Sequence, residues 1–156
     1  PFPGGVDFSV LYQEKAKAAG IELDVVREAA DGYWSNVWLV KPFSLVAWGA
    51  RPTPDMILSL AYAGGAAWNE THLDNARLNT ILVEARAELD DAKRGEMYAE
   101  AQMIVSDEGG TIVPFFTNYL FASTPNLLRA NEGFSGDWTL DGYRSAERWW
   151  YEEGTI

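Results

Sequence analysis

The run DNARLNTILVEARAELDDAKRGEMYAEAQMIVSDEGG, residues 74–110, commits a long continuous part of this chain to helix. Asp74 opens a first helix, on which Leu78, Ile81, Leu82 and Ala85 fall at the three- and four-residue spacing of one face. A second helix over 88–110 turns Met97, Ala101, Ile104 and Val105 inward, and a glycine pair closes it. Two helices with apolar stripes must bury them against something.

The segment before it carries a complete helix start. Thr53 suits the N-cap, Pro54 the first helical position and Asp55 the first turn. Met56, Ile57, Leu60 and Ala61 continue that helix until Gly64-Gly65 stops it, and GGAAWNETH (64–72) reads as a loop. Near the start, Asp7 is the expected cap of a helix over about 8–19, which Gly20 ends. IELDVVRE (21–28) alternates and is rich in β-branched residues, so it reads as a strand. FSLVAWGA (43–50) reads as a second strand, apolar enough to be buried on both faces. Between them Asp31 is expected to cap a short helix carrying Trp34, Val37 and Trp38, which makes a right-handed βαβ unit. TIVPFFTNYLFAST (111–124) is strand-like, with Pro114 marking an edge or a bend. The remainder is irregular until a final helix over about 145–153. The expected class is α/β, a mixed sheet flanked by helices.

Composition narrows the function. The chain has 156 residues, 47% of them hydrophobic, enough for one domain with a core. Its net charge of −11 argues against a nucleic-acid partner, which needs clustered Lys and Arg, and against an anionic membrane surface. The absence of cysteine excludes disulfides, thiolate catalysis and Cys-based zinc sites. No apolar run approaches the roughly 18 residues of a membrane span. The opening PFPGG, without methionine, reads as a piece of a longer protein or a mature segment.

Catalysis finds little support. The carboxylate pairs Asp90-Asp91, Asp107-Glu108 and Glu152-Glu153 are adjacent residues, which point apart on a helix. His72 is the only histidine, so no two-imidazole metal pair forms, and no serine sits in a glycine elbow. No enzyme activity, cofactor or metal site is therefore expected. Asn69-Glu70-Thr71 fits a glycosylation sequon, a pattern that occurs often by chance.

Arg51 is more informative. It lies where a strand hands over to a helix, a place at which open α/β sheets bind ligands. Its guanidinium fork suits a carboxylate or phosphate; the alternative is an internal pair with Asp55 or another carboxylate. Trp34, Trp38, Trp48 and Trp68 gather in the first half, and aromatic side chains at strand ends and loops can stack on a solute. The other reading makes all four packing residues. Asn69 and Glu70 add an amide and a carboxylate beside Trp68.

Three stretches then resemble one known group: PFPGGVDFSVLYQEKAKAAGIELDVVRE, WLVKPFSLVAWGARPTPDMILSLAY and AWNETHLDNARLNTILVEARAELDDAKRGEMYAEAQMIVSDEGGTIVPFF. They are similar to the C-terminal part of the extracytoplasmic solute-binding proteins of family 5, the oligopeptide, dipeptide and nickel type receptors of ABC importers. The helix pair followed by a glycine turn and IVP carries the most specific likeness, and the likeness covers about residues 1–125. It implies a two-lobed, periplasmic-binding-protein-like type II fold that closes like a hinge around a solute. Residues 1–117 would be part of the C-terminal lobe and 118–156 a hinge strand and tail returning toward the first lobe.

The resemblance also implies partners: a peptide or peptide-like solute, a membrane permease, and the N-terminal lobe of the same parent. Its implied location is periplasmic, or extracytoplasmic and membrane-tethered. In peptide-binding members a tryptophan is followed three residues later by an aspartate that holds the free amine. Trp48 matches that tryptophan, but Arg51 occupies the aspartate's place. The reversed sign makes Arg51 the expected receiver of an acidic group, with Trp34 and Trp48 stacking and Trp68 and Asn69 lining the same cleft. Candidate solutes are peptides held by their C-terminal carboxylate, blocked peptides, opine-like or sugar-phosphate conjugates, and oligosaccharides. An alternative of another class is a structural or interaction module that binds no solute, marked by Arg51 in an internal salt bridge and tryptophans wholly in the core.

Overall fold

The computed structural model describes residues 2–118, 120–129, 139 and 141–154. The chain divides into two compact units, Pro1–Ile112 and Val113–Ile156, each taken by itself below.

In the first unit the helices form where local chemistry directs them. Helix α3 (Pro54–Ala61) has Thr53 as its N-cap, its hydroxyl accepting from the Met56 N–H, with Pro54 at the first position. Helix α4 (Ala76–Ala87) starts one residue later than the Asp74 reading, because the Asn75 amide oxygen takes the Leu78 N–H at 2.9 Å. Asp74 instead accepts from the Asn79 side chain, while the Asn79 oxygen takes the Gly64 N–H at 2.7 Å. A Cβ on Gly64 would collide with both side chains, so the close approach of that turn to α4 requires glycine. Helix α5 (Asp91–Glu108) is capped by Asp90, which accepts from Ala92 and Lys93, and it ends at Gly109-Gly110 with Gly110 at φ 65°.

These three helices hold the core. Leu58 of α3, Leu78, Ile81, Leu82 and Ala85 of α4, and Ala101 of α5 are buried together, with Met97, Ile104 and Val105 packed partly buried against them. The Arg86–Asp55 pair ties α4 to α3, and the bidentate Arg77–Glu100 pair ties α4 to α5. Both are solvent-exposed, so they position the helices more than they stabilise them.

Helix α1 (Gly5–Ala18) begins earlier than expected, with Gly4 at φ 81° as its N-cap and Asp7 inside its first turn. It buries no residue completely. The Gln13 side chain donates to the Leu23 carbonyl at 2.6 Å and fastens the following chain to it. The Asp31 cap is likewise replaced by glycine: helix α2 (Tyr33–Asn36) starts from Gly32 at φ 82°.

The mixed sheet and the βαβ unit are not formed among the described residues. Segments 21–28 and 43–50 have no ladder partner. Leu23 and Val25 are half-buried between exposed neighbours, so the period of two survives without a strand pairing beside it. The second segment is half-buried to exposed, where burial on both faces was expected. Alternation and β-branching specify an extended chain, whereas a sheet also needs a neighbour with matching free N–H and C=O groups.

In the second unit, the described residues of 113–124 form no strand, and Phe116 and Leu120 are exposed. The described sheet has two antiparallel strands, β1 (Leu127–Arg129) and β2 (Trp149–Tyr151), in the register Leu127 opposite Tyr151. The final helix expected over 145–153 is cut to α6 (Ser145–Arg148), because the bulky Trp149-Trp150-Tyr151 run prefers a pleated surface. Asp141 is buried and accepts from the Arg148 guanidinium at 2.7 Å and the Trp149 indole at 3.2 Å. The irregular stretch expected over 130–138 lies outside the described residues.

The turn into α6 is strained. Asp141, Gly142 and Tyr143 all have φ near +65°, at 68°, 66° and 63°. Aspartate tolerates this region, but a tyrosine there sets its Cβ against the carbonyl. Tyr143→Gly is expected to stabilise the chain by about 1 kcal/mol, less the added entropy of glycine in the unfolded state. Urea denaturation followed by far-UV circular dichroism measures this; a destabilised variant would mean that contacts of the tyrosine ring outweigh the strain.

Candidate functional site

Three short segments of the first unit meet around an open cavity of about 250 Å³. The extended run contributes Val46, Ala47, Trp48, Gly49 and Arg51, helix α2 and the turn after it give Trp34 and Trp38, and the 64–72 loop gives Trp68. Trp34 and Trp38 share a face because they are four residues apart around a helical turn. The Tyr33 hydroxyl donates to the Leu45 carbonyl at 2.8 Å and pins α2 to the extended run. Burial pushes that phenol above its ordinary value; the bond to Leu45 opposes this, and the charges of Glu28 and Glu70 add to it.

The four indoles form a connected series. Trp34 meets Trp38 edge-to-face with ring centroids 5.6 Å apart at 83°. Trp38 meets Trp68 at 5.9 Å and 71°, and Trp68 meets Trp48 at 6.0 Å and 56°. Such tilted pairs suit the ring quadrupole. Trp34 is 52% exposed and Trp68 44%, so these rings are not simply core packing.

Glu70 holds the series together from behind. Its carboxylate accepts the Trp38 indole N–H at 2.5 Å on one oxygen and the Trp48 indole N–H at 2.8 Å on the other. Two rings from separate segments are thereby fixed by one charged group, and both of their N–H donors are consumed.

Arg51 occupies the other side of the lining. One guanidinium nitrogen donates to the Gly49 carbonyl at 2.9 Å and the Ala50 carbonyl at 3.2 Å. Among the described residues it has no carboxylate partner. Asp55, the internal partner considered for it, accepts from Arg86 at 2.9 Å and from the Ser59 hydroxyl at 3.1 Å. The remaining N–H groups of Arg51 are left for something else to bind.

Of the five residues singled out from the sequence, Trp34, Trp48, Arg51 and Trp68 line this one cavity. Asn69 does not. It is 5% exposed and organises the loop, donating to the Ala63 and Leu73 carbonyls and accepting from the Thr71 hydroxyl and the Leu73 N–H. A buried amide with every hydrogen-bonding capacity in use is a structural part, because removing it strands several backbone groups. The same burial closes the Asn69 sequon to a glycan in the folded chain. Trp38, which lines the cavity, and Glu70, which anchors two of its rings, were weighed in the sequence but are not among those five. The four-residue spacing of Trp34 and Trp38 was the available signal for the first.

Among the described residues no group of His, Asp or Glu is placed to hold a metal ion, and no helix is long and apolar enough to cross a membrane. Comparison with protein-family models, with curated proteins and with solved structures gives no match.

Proposed function

We propose that this chain is the solute-receiving lobe of an extracytoplasmic receptor that serves an ABC importer. In this reading a small, acidic, peptide-like solute enters the tryptophan cavity and its carboxylate is received by Arg51. The N-terminal lobe of the same parent closes over it, and a membrane permease takes delivery in the periplasm or at a tethered location. The carrying observation is a cavity walled by four indoles with a guanidinium beside it that no carboxylate among the described residues neutralises. A partly desolvated cation next to apolar area favours a ligand that is anionic at one end and apolar at the other. Glu70 weighs against an oligosaccharide, since the Trp38 and Trp48 N–H groups are already engaged and sugars need many donors.

The test is a fluorescence titration with blocked dipeptides, as C-terminal acids and as the matching amides. The acids are expected to bind and the amides to bind far more weakly. Arg51→Ala should weaken the acids by about 2 kcal/mol, roughly thirtyfold, the lower part of the range for a charge-assisted contact because the cavity is open to screening water. Its melting temperature should barely move, because Arg51 bonds only to two neighbouring carbonyls. Equal affinity of acid and amide, or an unchanged Arg51→Ala titration, would remove Arg51 from the site.

A further inference from the structure

Resting on that reading, we infer that the solute is a compact zwitterion: a methylated ammonium held among the indoles, with its carboxylate on Arg51. Four indoles line the cavity, and consecutive ones are tilted at 83°, 71° and 56° with centroids 5.6–6.0 Å apart, angles that the sides of an open box would have. A clamp that sandwiches a planar group between two rings would need them parallel, and no consecutive pair here is. The faces of such a box carry the negative part of the ring quadrupole, and a quaternary ammonium, which has no N–H to satisfy, is the cation that fits them.

Glu70 strengthens this preference in two ways. Its carboxylate accepts the N–H groups of Trp38 and Trp48, which shifts electron density into those rings. It also places a full negative charge behind two walls, where a cation in the box feels it through a partly apolar medium. Among the described residues no lysine or arginine lies over any of the four rings, so this potential is not already met from within.

Arg51 then fixes the second end. A bare cation beside a guanidinium would be repelled, so the cavity suits a cation that carries its own anion a few bonds away. The cavity of about 250 Å³ lies below the usual range for drug-sized ligands, which also favours a compact solute over an oligopeptide.

The experiment titrates the chain by calorimetry and tryptophan fluorescence with four probes. They are trimethylammonioacetate, its carbon isostere 3,3-dimethylbutanoate (which keeps the carboxylate and lacks the cation), tetramethylammonium, and a blocked trimethyllysine amide. Trimethylammonioacetate is expected to bind at least tenfold tighter than each of the others. Glu70→Gln should weaken it several-fold more than it weakens 3,3-dimethylbutanoate, since loosened rings affect both ligands while the lost negative charge costs only the ammonium. Equal binding of the carbon isostere overturns the cage and leaves the acid-binding role of Arg51 standing. Equal binding of tetramethylammonium, with no binding of 3,3-dimethylbutanoate, overturns the role of Arg51 and with it the zwitterion. Tighter binding of the trimethyllysine amide overturns it in favour of a modified peptide. No response to any probe overturns the inference, and the acid and amide panel decides the parent reading separately.

Discussion

Leu78→Ala is expected to lower the stability of the first unit by about 3–4 kcal/mol, a large share of the roughly 5–15 kcal/mol that holds a small domain folded. Leu78 has no exposed surface and, with Ile81, is among the largest side chains wholly enclosed. It sits on α4 between the α3 and α5 contributions to the core, so truncation leaves a void that three helices would have to close together. A larger core could absorb that loss, but the buried cluster among the described residues is small, and two of its six members are alanines with nothing to give. Val83 on the same helix is the control. It is 67% exposed, and Val83→Ala should change stability by less than about 0.5 kcal/mol. Urea denaturation followed by circular dichroism separates the two. Equal midpoints would mean that α4 is not the centre of the cooperative unit.

Leu78 was also readable in advance, and the reason separates the legible part of this fold from the rest. Helix signals are local. Thr53-Pro54-Asp55 names its own helix start, and the 78/81/82/85 spacing names its own buried face, without reference to any distant residue. Even there the cap moved from Asp74 to Asn75, because either side chain can accept from the first turn and only the assembled loop assigns Asp74 to Asn79. Strand signals are half of a pair. Residues 21–28 and 43–50 carry the composition of strands, but a ladder depends on a second segment that composition cannot supply. The Trp149–Tyr151 run is the converse: it was read as the end of a helix, and its pairing with Leu127–Arg129 makes it a strand.

The site divides along the same line. Arg51 announced itself by position, as a cation at the corner between an extended run and a helix. Asn69 was misplaced because an amide in a loop looks the same whether it faces a ligand or the loop's own carbonyls. Glu70 could not be ranked above its neighbours, since its role exists only where residues 38, 48 and 70 converge.

That convergence makes Glu70→Ala the second large effect. The carboxylate takes two indole N–H groups, and hydrogen bonds to a charged partner contribute about 1.5–3 kcal/mol each. The side chain is partly exposed and the two bonds share one group, so a combined loss of about 3 kcal/mol is expected rather than the full sum. The loss should appear as local loosening, because the 64–72 loop, the turn after α2 and the extended run lie outside the α3–α4–α5 core. Hydrogen exchange should accelerate around Trp38, Trp48 and Trp68 while the amides of α4 keep their protection. The indole fluorescence should shift to the red as water reaches the rings. Glu70→Gln separates geometry from charge: one amide oxygen can still accept an indole N–H, so about half the loosening should remain. If Glu70→Ala leaves hydrogen exchange and indole fluorescence near Trp38 and Trp48 unchanged, then the tryptophans hold their arrangement by ring packing alone, and the carboxylate is not what orients them.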